Sequence, residues 1–199
     1  MALHLVPNTG QESAVAAEAP SSSSFRRYPL WRVLGLNGLT LLHYAVGCAA
    51  IALSYRSYPI VGWPVALAYF VFAVVQLYVL MPLVVCPACV YSGVRDGRCA
   101  TGLNVISARL SRSPVPRAGF EERTHGALCQ SSLCLWSLVL PLPLAVPGLA
   151  ISFSWTGLAL TLVVAALAAV RLAFIVPRAV CSHCLARRWC PAAQSGRVT

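Results

Sequence analysis

The chain contains no lysine and only five acidic residues, so its 15 basic residues are all arginine and its formal net charge is +10. The acidic residues lie outside the long apolar stretches, at Glu12, Glu18, Asp96, Glu121 and Glu122. The sequence offers no carboxylate pair, nucleophile–base arrangement or glycine-rich phosphate loop, which excludes the common machinery of soluble enzymes. The first residues also lack the apolar core of a signal peptide. We expect residues 1–27 to form a disordered cytoplasmic tail.

Apolar residues dominate the rest of the chain: 58% of all residues are hydrophobic and only 10% are charged. They concentrate in four stretches, at about residues 34–54, 60–81, 133–153 and 155–176. A helix of about 20 residues crosses the roughly 30 Å hydrocarbon core of a bilayer. We therefore predict an all-α integral membrane protein. Residues 28–199 form a single domain of four transmembrane helices, arranged as two hairpins with a cytoplasmic cysteine-rich cap.

The arginines predict the orientation. Fourteen of them lie before the first span, in the central loop (residues 82–132), near the end of the fourth span or in the C-terminal segment (residues 177–199). Only Arg56 lies in a loop on the other side. Since arginine-rich loops stay in the cytoplasm, we expect a multi-pass protein of a bacterial inner membrane with both termini cytoplasmic. Its positive charge then sets topology and contacts membrane lipids, and does not indicate nucleic-acid binding.

Six of the nine cysteines form two groups of the same pattern, C-x2-C followed by a third cysteine. The groups are Cys86, Cys89 and Cys99, and Cys181, Cys184 and Cys190. Each C-x2-C pair begins four residues after a proline that we expect to end a span, Pro82 or Pro177. This recurrence indicates a chain built from two copies of a hairpin followed by a cysteine motif.

The spacing of each pair suits metal binding, because two thiolates of one turn can both lie about 2.3 Å from a zinc ion. A reducing cytoplasm disfavours lasting disulfides and favours metal or transient redox use. We predict one shared site with ligands Cys86, Cys89, Cys181 and Cys184, holding zinc by preference or an iron–sulfur cluster. Further candidate ligands are Cys99, Cys190 and His183. Sharing requires the second and fourth spans to be neighbours at their cytoplasmic ends, which small residues of the fourth span would permit. Two separate sites are the alternative.

Other polar residues in or near the spans have more than one interpretation. His43, in the first span, is a candidate intramembrane contact for haem or quinone, or a neutral imidazole bonded to a helix backbone. Arg171 is expected to extend to the membrane interface. The prolines of the third span predict a kinked, well-packed helix, and residues 101–110 predict a short helix on the inner membrane surface. Three further cysteines should pack as small apolar side chains: Cys48, Cys129 and Cys134.

Two classes of function fit these features. The first is a non-enzymatic structural or assembly protein with a protein partner on the cytoplasmic side. The second is a membrane redox protein or a soft-metal carrier.

Four spans with a C-x2-C resemble the general architecture of the bacterial disulfide-generating quinone reductases and of vitamin K epoxide reductase. Those families keep their reactive cysteines on the oxidising side, whereas the arginines place Cys86 and Cys181 on the other. Small mercury-transport proteins are similar in combining membrane and cytoplasmic cysteines, but the adjacent cysteine pair expected in the first span is replaced by a single Cys48.

Overall fold

The computed structural model describes residues 25, 27–89, 91, 96–110 and 136–185. These residues are nearly all helical and form no strand, which confirms the predicted all-α class for the described part of the chain. Three helices are long and apolar enough to cross a membrane: Leu30–Ser54, Pro59–Val85 and Trp155–His183. The third predicted span is represented by a shorter apolar helix, Trp136–Ile151, and its first three residues, 133–135, lie outside the described residues.

Helix α1 (Leu30–Ser54) is the centre of the bundle. It begins four residues before the predicted start, directly after Pro29, whose extended backbone (φ −62°, ψ 143°) cannot continue a helix backwards. Helix α2 (Pro59–Val75) follows after a short turn, with a proline at its first position, where no backbone N–H is needed. Helix α1 packs against α2 and against the two later helices, α4 (Pro141–Ile151) and α5 (Trp155–Val170).

Helices α2 and α5 both continue into a wider helix. The first π segment (Gln76–Val85) extends α2 and the second π segment (Arg171–Val180) extends α5. The expectation that Pro82 and Pro177 end the spans is therefore wrong. A proline ring collides with the carbonyl four residues earlier in an α-helix. The wider i→i+5 geometry changes that spacing, so the helix passes through the proline. Each π segment ends in a single 3₁₀ turn that begins at the first cysteine of a motif, Cys86–Ala88 or Cys181–His183.

The two halves repeat at the level of buried positions. The buried residues of α2 are Gly62, Ala66, Tyr69 and Ala73, and those of α5 are Gly157, Thr161, Val164 and Ala168. Each residue of the second set lies 95 positions after its counterpart, the interval that also separates Cys86 from Cys181. The same succession of α-helix, π segment and 3₁₀ turn thus occurs twice, in agreement with the predicted duplication.

The principal partner of α5 is α1, whereas a shared metal site requires α5 to be a neighbour of α2 at the cytoplasmic ends of the two helices. Gly157 allows α5 to approach α1 closely because it has no side chain. A Cβ added there would come within 3.1 Å of the Cα of Ser54 in α1. Helix α4 approaches α1 as closely, since a Cβ at Gly47 would lie 2.9 Å from the Pro141 ring. The prolines of this helix are therefore compatible with close packing, as the sequence predicted.

The central loop contributes helix α3 (Leu103–Leu110), within the range predicted for it. Leu103 is buried and α3 packs against the first π segment and its 3₁₀ turn, while Ile106 and Leu110 are exposed. This contact fixes the start of the loop against the helix end that carries Cys86.

Candidate functional site

Both cysteine motifs lie where the extended helices α2 and α5 end, and we call this end of the bundle the cysteine end. Five cysteines belong to it: Cys86, Cys89, Cys99, Cys181 and Cys184. The remaining predicted ligand, Cys190, lies outside the described residues, as do Cys129 and Cys134. Cys48 lies away from this group and packs against the hydrophobic core, as expected.

The two motifs have the same backbone geometry. The backbone N–H of Cys89 donates to the Cys86 carbonyl (3.1 Å), and that of Cys184 donates to the Cys181 carbonyl (3.3 Å). Cys89 and Cys184, which follow the 3₁₀ turns, have nearly equal backbone angles (φ −75°, ψ 146° and φ −73°, ψ 138°). Each pair therefore occupies one tight turn, which is the arrangement that the two-residue spacing predicted.

A segment before α1 joins the two motifs. The Phe25 N–H donates to the His183 carbonyl of the second motif (3.0 Å), and the Phe25 carbonyl accepts from the Tyr91 hydroxyl beyond the first motif (2.9 Å). The Tyr28 hydroxyl donates to the Val180 carbonyl, 2.8 Å away. The last residues of the predicted tail are therefore part of the cysteine end, whereas residues 1–24 lie outside the described residues. The sequence analysis assigned no such role to Phe25 and Tyr28. The signal available in the sequence was this pair of aromatic residues, three positions apart.

Cysteines from three segments of the chain pack against one cluster. Tyr28 and Tyr91 are 1% and 2% exposed, their ring centres are 6.3 Å apart, and together with Val33 and Ala100 they form a buried group that we call the tyrosine cluster. The side chains that pack against it include Cys89, Cys99 and Cys184. The structure thus brings members of both motifs to a common apolar cluster.

The thiols do not form a ready-made metal site. Among the described residues, no group of three or more histidine, cysteine or acidic side chains is arranged to hold a metal ion. Both motifs approach the tyrosine cluster without converging on one point. The donor chemistry suits a soft metal, but the arrangement of the described side chains would have to change for several of them to bind one ion.

Burial disfavours the charged forms of three groups at the cysteine end, Cys86, Tyr28 and Tyr91. Burial, with smaller contributions from the nearby Cys99 and Cys89 thiols, raises the pKa of Cys86 to about 12. Burial also raises the pKa of Tyr28 and of Tyr91, with the neighbouring Cys184 adding to both shifts. Cys86 is therefore a protonated thiol at neutral pH. A metal ion would have to displace its proton, and spontaneous nucleophilic chemistry at this sulfur is disfavoured.

Within the bundle, His43 is 1% exposed and its Nε2 lies 3.0 Å from the Leu138 carbonyl. This contact matches the alternative in which the His43 imidazole bonds to a helix backbone and not to haem or quinone. Its Nδ1 has no hydrogen-bond partner among the described residues.

Arg171 does not extend to the interface, so that expectation is wrong. It is 8% exposed, and its Nη2 donates to the Thr40 hydroxyl of α1 at 2.6 Å. The physical reason is its position on the buried face of α5, three residues after Ala168 and seven after Val164. The sequence held a signal for this, because Arg171 lies 95 positions after Gln76, which is also buried.

The chain matches no protein-family model, no curated protein and no solved structure. Its function has to be inferred from the residues of the cysteine end and of the bundle.

Proposed function

We propose that the chain is a bacterial inner-membrane protein of four spans whose two cysteine motifs form one cytoplasmic cap that binds a soft divalent metal, zinc being the favoured ion. The observation that carries this proposal is the packing of cysteines from both motifs against the tyrosine cluster. In this role the metal ties two helical hairpins together, and the cap serves as a structural or assembly platform for a protein partner and not as an enzyme.

The proposed ligands are Cys86, Cys89, Cys181 and Cys184, with Cys99 and His183 as further donors. Cys86 and the thiols near it must lose their protons on binding, so affinity should rise with pH and binding should release protons. The zinc ion would add a strong cross-link at the helix ends. Separate sites at the two motifs are the competing arrangement.

Elemental analysis of purified variants tests the proposal and separates these arrangements. We expect about one zinc ion per wild-type chain, lost in both Cys86→Ser and Cys181→Ser because each removes a ligand of the shared site. The matched control is Cys48→Ala, which removes a thiol of the hydrophobic core and should retain the metal. Two occupied separate sites would instead give about two zinc ions per wild-type chain and leave about one in each variant. Loss in only one variant would locate the metal at that motif alone, and full retention in both would refute metal binding by these motifs.

The orientation needs its own experiment, because a cap on the oxidising side would favour disulfide chemistry. Reporter fusions after Ser57 and after Thr199 should report the outside and the cytoplasm, respectively, as the arginine distribution predicts. An outside signal at Thr199 would reverse the proposed topology.

The redox alternative makes a different spectroscopic prediction. Protein purified without oxygen should be colourless if it holds zinc, whereas an iron–sulfur cluster or haem would give visible absorption. The high pKa of Cys86 also disfavours thiol–disulfide exchange initiated at this residue.

A further inference from the structure

A groove of about 440 Å³ lies between the start of α1 and the end of the second π segment. Its polar and charged lining residues are Arg32, Arg178 and His183. Gly35, Leu36 and Leu39 of α1, the helix that also carries Arg32, contribute apolar lining. The groove therefore combines two guanidinium groups with an apolar lining.

Aromatic rings hold the two guanidinium groups. The Arg32 guanidinium carbon lies 5.0 Å from the centre of the Phe25 ring and 5.1 Å from that of Trp31. The Arg178 guanidinium carbon lies 5.0 Å from the centre of the Phe174 ring. Stacking on a ring face orients a guanidinium and leaves its N–H edge available to an anion.

In the part of the chain that the structure describes, no carboxylate lines the groove. Asp96 is the only acidic residue in the described part of the chain, and it does not line the groove. The two arginines therefore give the groove a positive charge that suits an anionic ligand.

The surroundings of the groove are those of a membrane interface. Trp31, Leu34 and Phe174 are 69%, 62% and 50% exposed, so large apolar side chains surround the cations at a helix end. A small soluble anion would make no use of Leu36 and Leu39. A ligand with a negative headgroup and an apolar chain would contact both the arginines and the apolar lining, and the volume falls in the range of organic ligand sites.

We propose that the groove binds an anionic phospholipid. Its phosphate lies between Arg32 and Arg178, and the beginning of an acyl chain lies along Leu36 and Leu39, over Gly35. Because His183 belongs to the second cysteine motif, a bound lipid would contact the cysteine end directly. This proposal depends on the membrane location of the helices and not on metal binding.

Lipid titrations of the purified, metal-depleted protein in a neutral detergent test the proposal. Binding is measured by native mass spectrometry and by the shift in thermal unfolding, with dioleoyl phosphatidylglycerol compared to dioleoyl phosphatidylcholine. The wild type should bind the anionic lipid at least tenfold more tightly. Arg178→Gln should weaken that binding about tenfold, as expected for the loss of a hydrogen bond to a charged group. The control Arg109→Gln removes an exposed arginine of α3 outside the groove and should change nothing.

A second pair of variants tests the groove itself without changing charge. Added Cβ atoms at Gly35 and at Gly38 meet no atom within 4 Å, so a side chain can begin at both positions of α1 without a clash at Cβ. Only Gly35 lines the groove. Gly35→Leu should abolish the preference for the anionic lipid, whereas Gly38→Leu should preserve it.

Three results would overturn the proposal. The first is equal binding of the two lipids by the wild type. The second is retention of the preference in both Gly35→Leu and Arg178→Gln. The third is a thermal shift from inorganic phosphate as large as that from the anionic lipid, which would identify a site for free anions.

Discussion

Replacing Thr40 by valine would remove the hydrogen-bond acceptor of the buried Arg171 guanidinium while preserving the shape of the side chain. In the native protein Arg171 Nη2 donates to the Thr40 hydroxyl at 2.6 Å, and this hydroxyl donates in turn to the Leu36 carbonyl at 2.7 Å. Among the described residues, Arg171 Nη1 has no partner. Thr40→Val therefore takes the one observed side-chain acceptor away from a cation that is 8% exposed.

The size of the effect follows from the charge of the donor. A hydrogen bond to a charged group contributes about 1.5–3 kcal/mol, and leaving its buried partner unsatisfied costs as much. Pairs inside membranes are often weaker, at about 0.6 kcal/mol on average, because the unfolded chain also finds partners there. For this charged donor we expect Thr40→Val to lower the free energy of unfolding by about 2 kcal/mol. Arg171→Met removes the charge and keeps an apolar side chain, so it should be neutral or stabilising.

The double variant isolates the interaction. Unfolding free energies of the wild type, both single variants and Thr40→Val/Arg171→Met, measured in mixed micelles by tryptophan fluorescence, form a cycle. We expect Thr40→Val to cost less than about 0.5 kcal/mol once Arg171 is methionine. Thr161→Val is the matched control, since its hydroxyl also donates to a carbonyl of its own helix (2.8 Å) and, among the described residues, accepts no hydrogen bond from an arginine. An equal cost of Thr40→Val in both backgrounds would refute a coupling between these residues.

Two further predictions concern close packing and pH. Gly148→Ala should destabilise the bundle by about 1–3 kcal/mol, because the added Cβ would lie 2.6 Å from the Tyr55 ring. Gly38→Ala, in open space, should stabilise α1 by up to about 1 kcal/mol. Thermal unfolding of both variants measures the difference, and equal effects would contradict this prediction. Burial raises the pKa of Cys86 from its usual 9.0 to about 12, so its contribution to stability is complete below pH 9 and is lost as pH rises towards 12, with about 1.4 kcal/mol lost between pH 8 and pH 10. Unfolding of metal-depleted protein at both pH values should show this loss, and Cys86→Ala should reduce it by about that amount.

The sequence predicted the long helices well and their ends less well. Apolar stretches of membrane length determine where helices form, so three of the four spans correspond to long apolar helices of the structure. Their ends depend on how the backbone accommodates proline, and Pro82 and Pro177 lie inside π segments where an α-helix would have been interrupted. Nothing in the composition around these prolines distinguishes a helix end from a wider helix.

The cysteine end was predictable in part for a similar reason. The repeated spacing placed both motifs at corresponding helix ends, which the structure reproduces. The tyrosine cluster depends instead on contacts between distant residues, such as the Tyr28 hydroxyl and the Val180 carbonyl, which are 152 positions apart. No periodic pattern in the sequence predicts a contact between residues so far apart in the chain. The expectation that Arg171 extends to the membrane interface was based on its charge alone. Its burial follows instead from its position on the helix face that packs against α1.

The direction of the two extended helices has a consequence for the chemistry of the cysteines. Both motifs lie at carboxyl ends, where aligned peptide dipoles concentrate partial negative charge. Reactive cysteines are activated at amino ends, where the opposite charge stabilises a thiolate. At Cys86 and Cys181 the backbone field instead opposes the free thiolate and attracts a cation. The polarity of the peptide chain therefore disfavours nucleophilic attack at this end of the bundle and favours the retention of a positive ion.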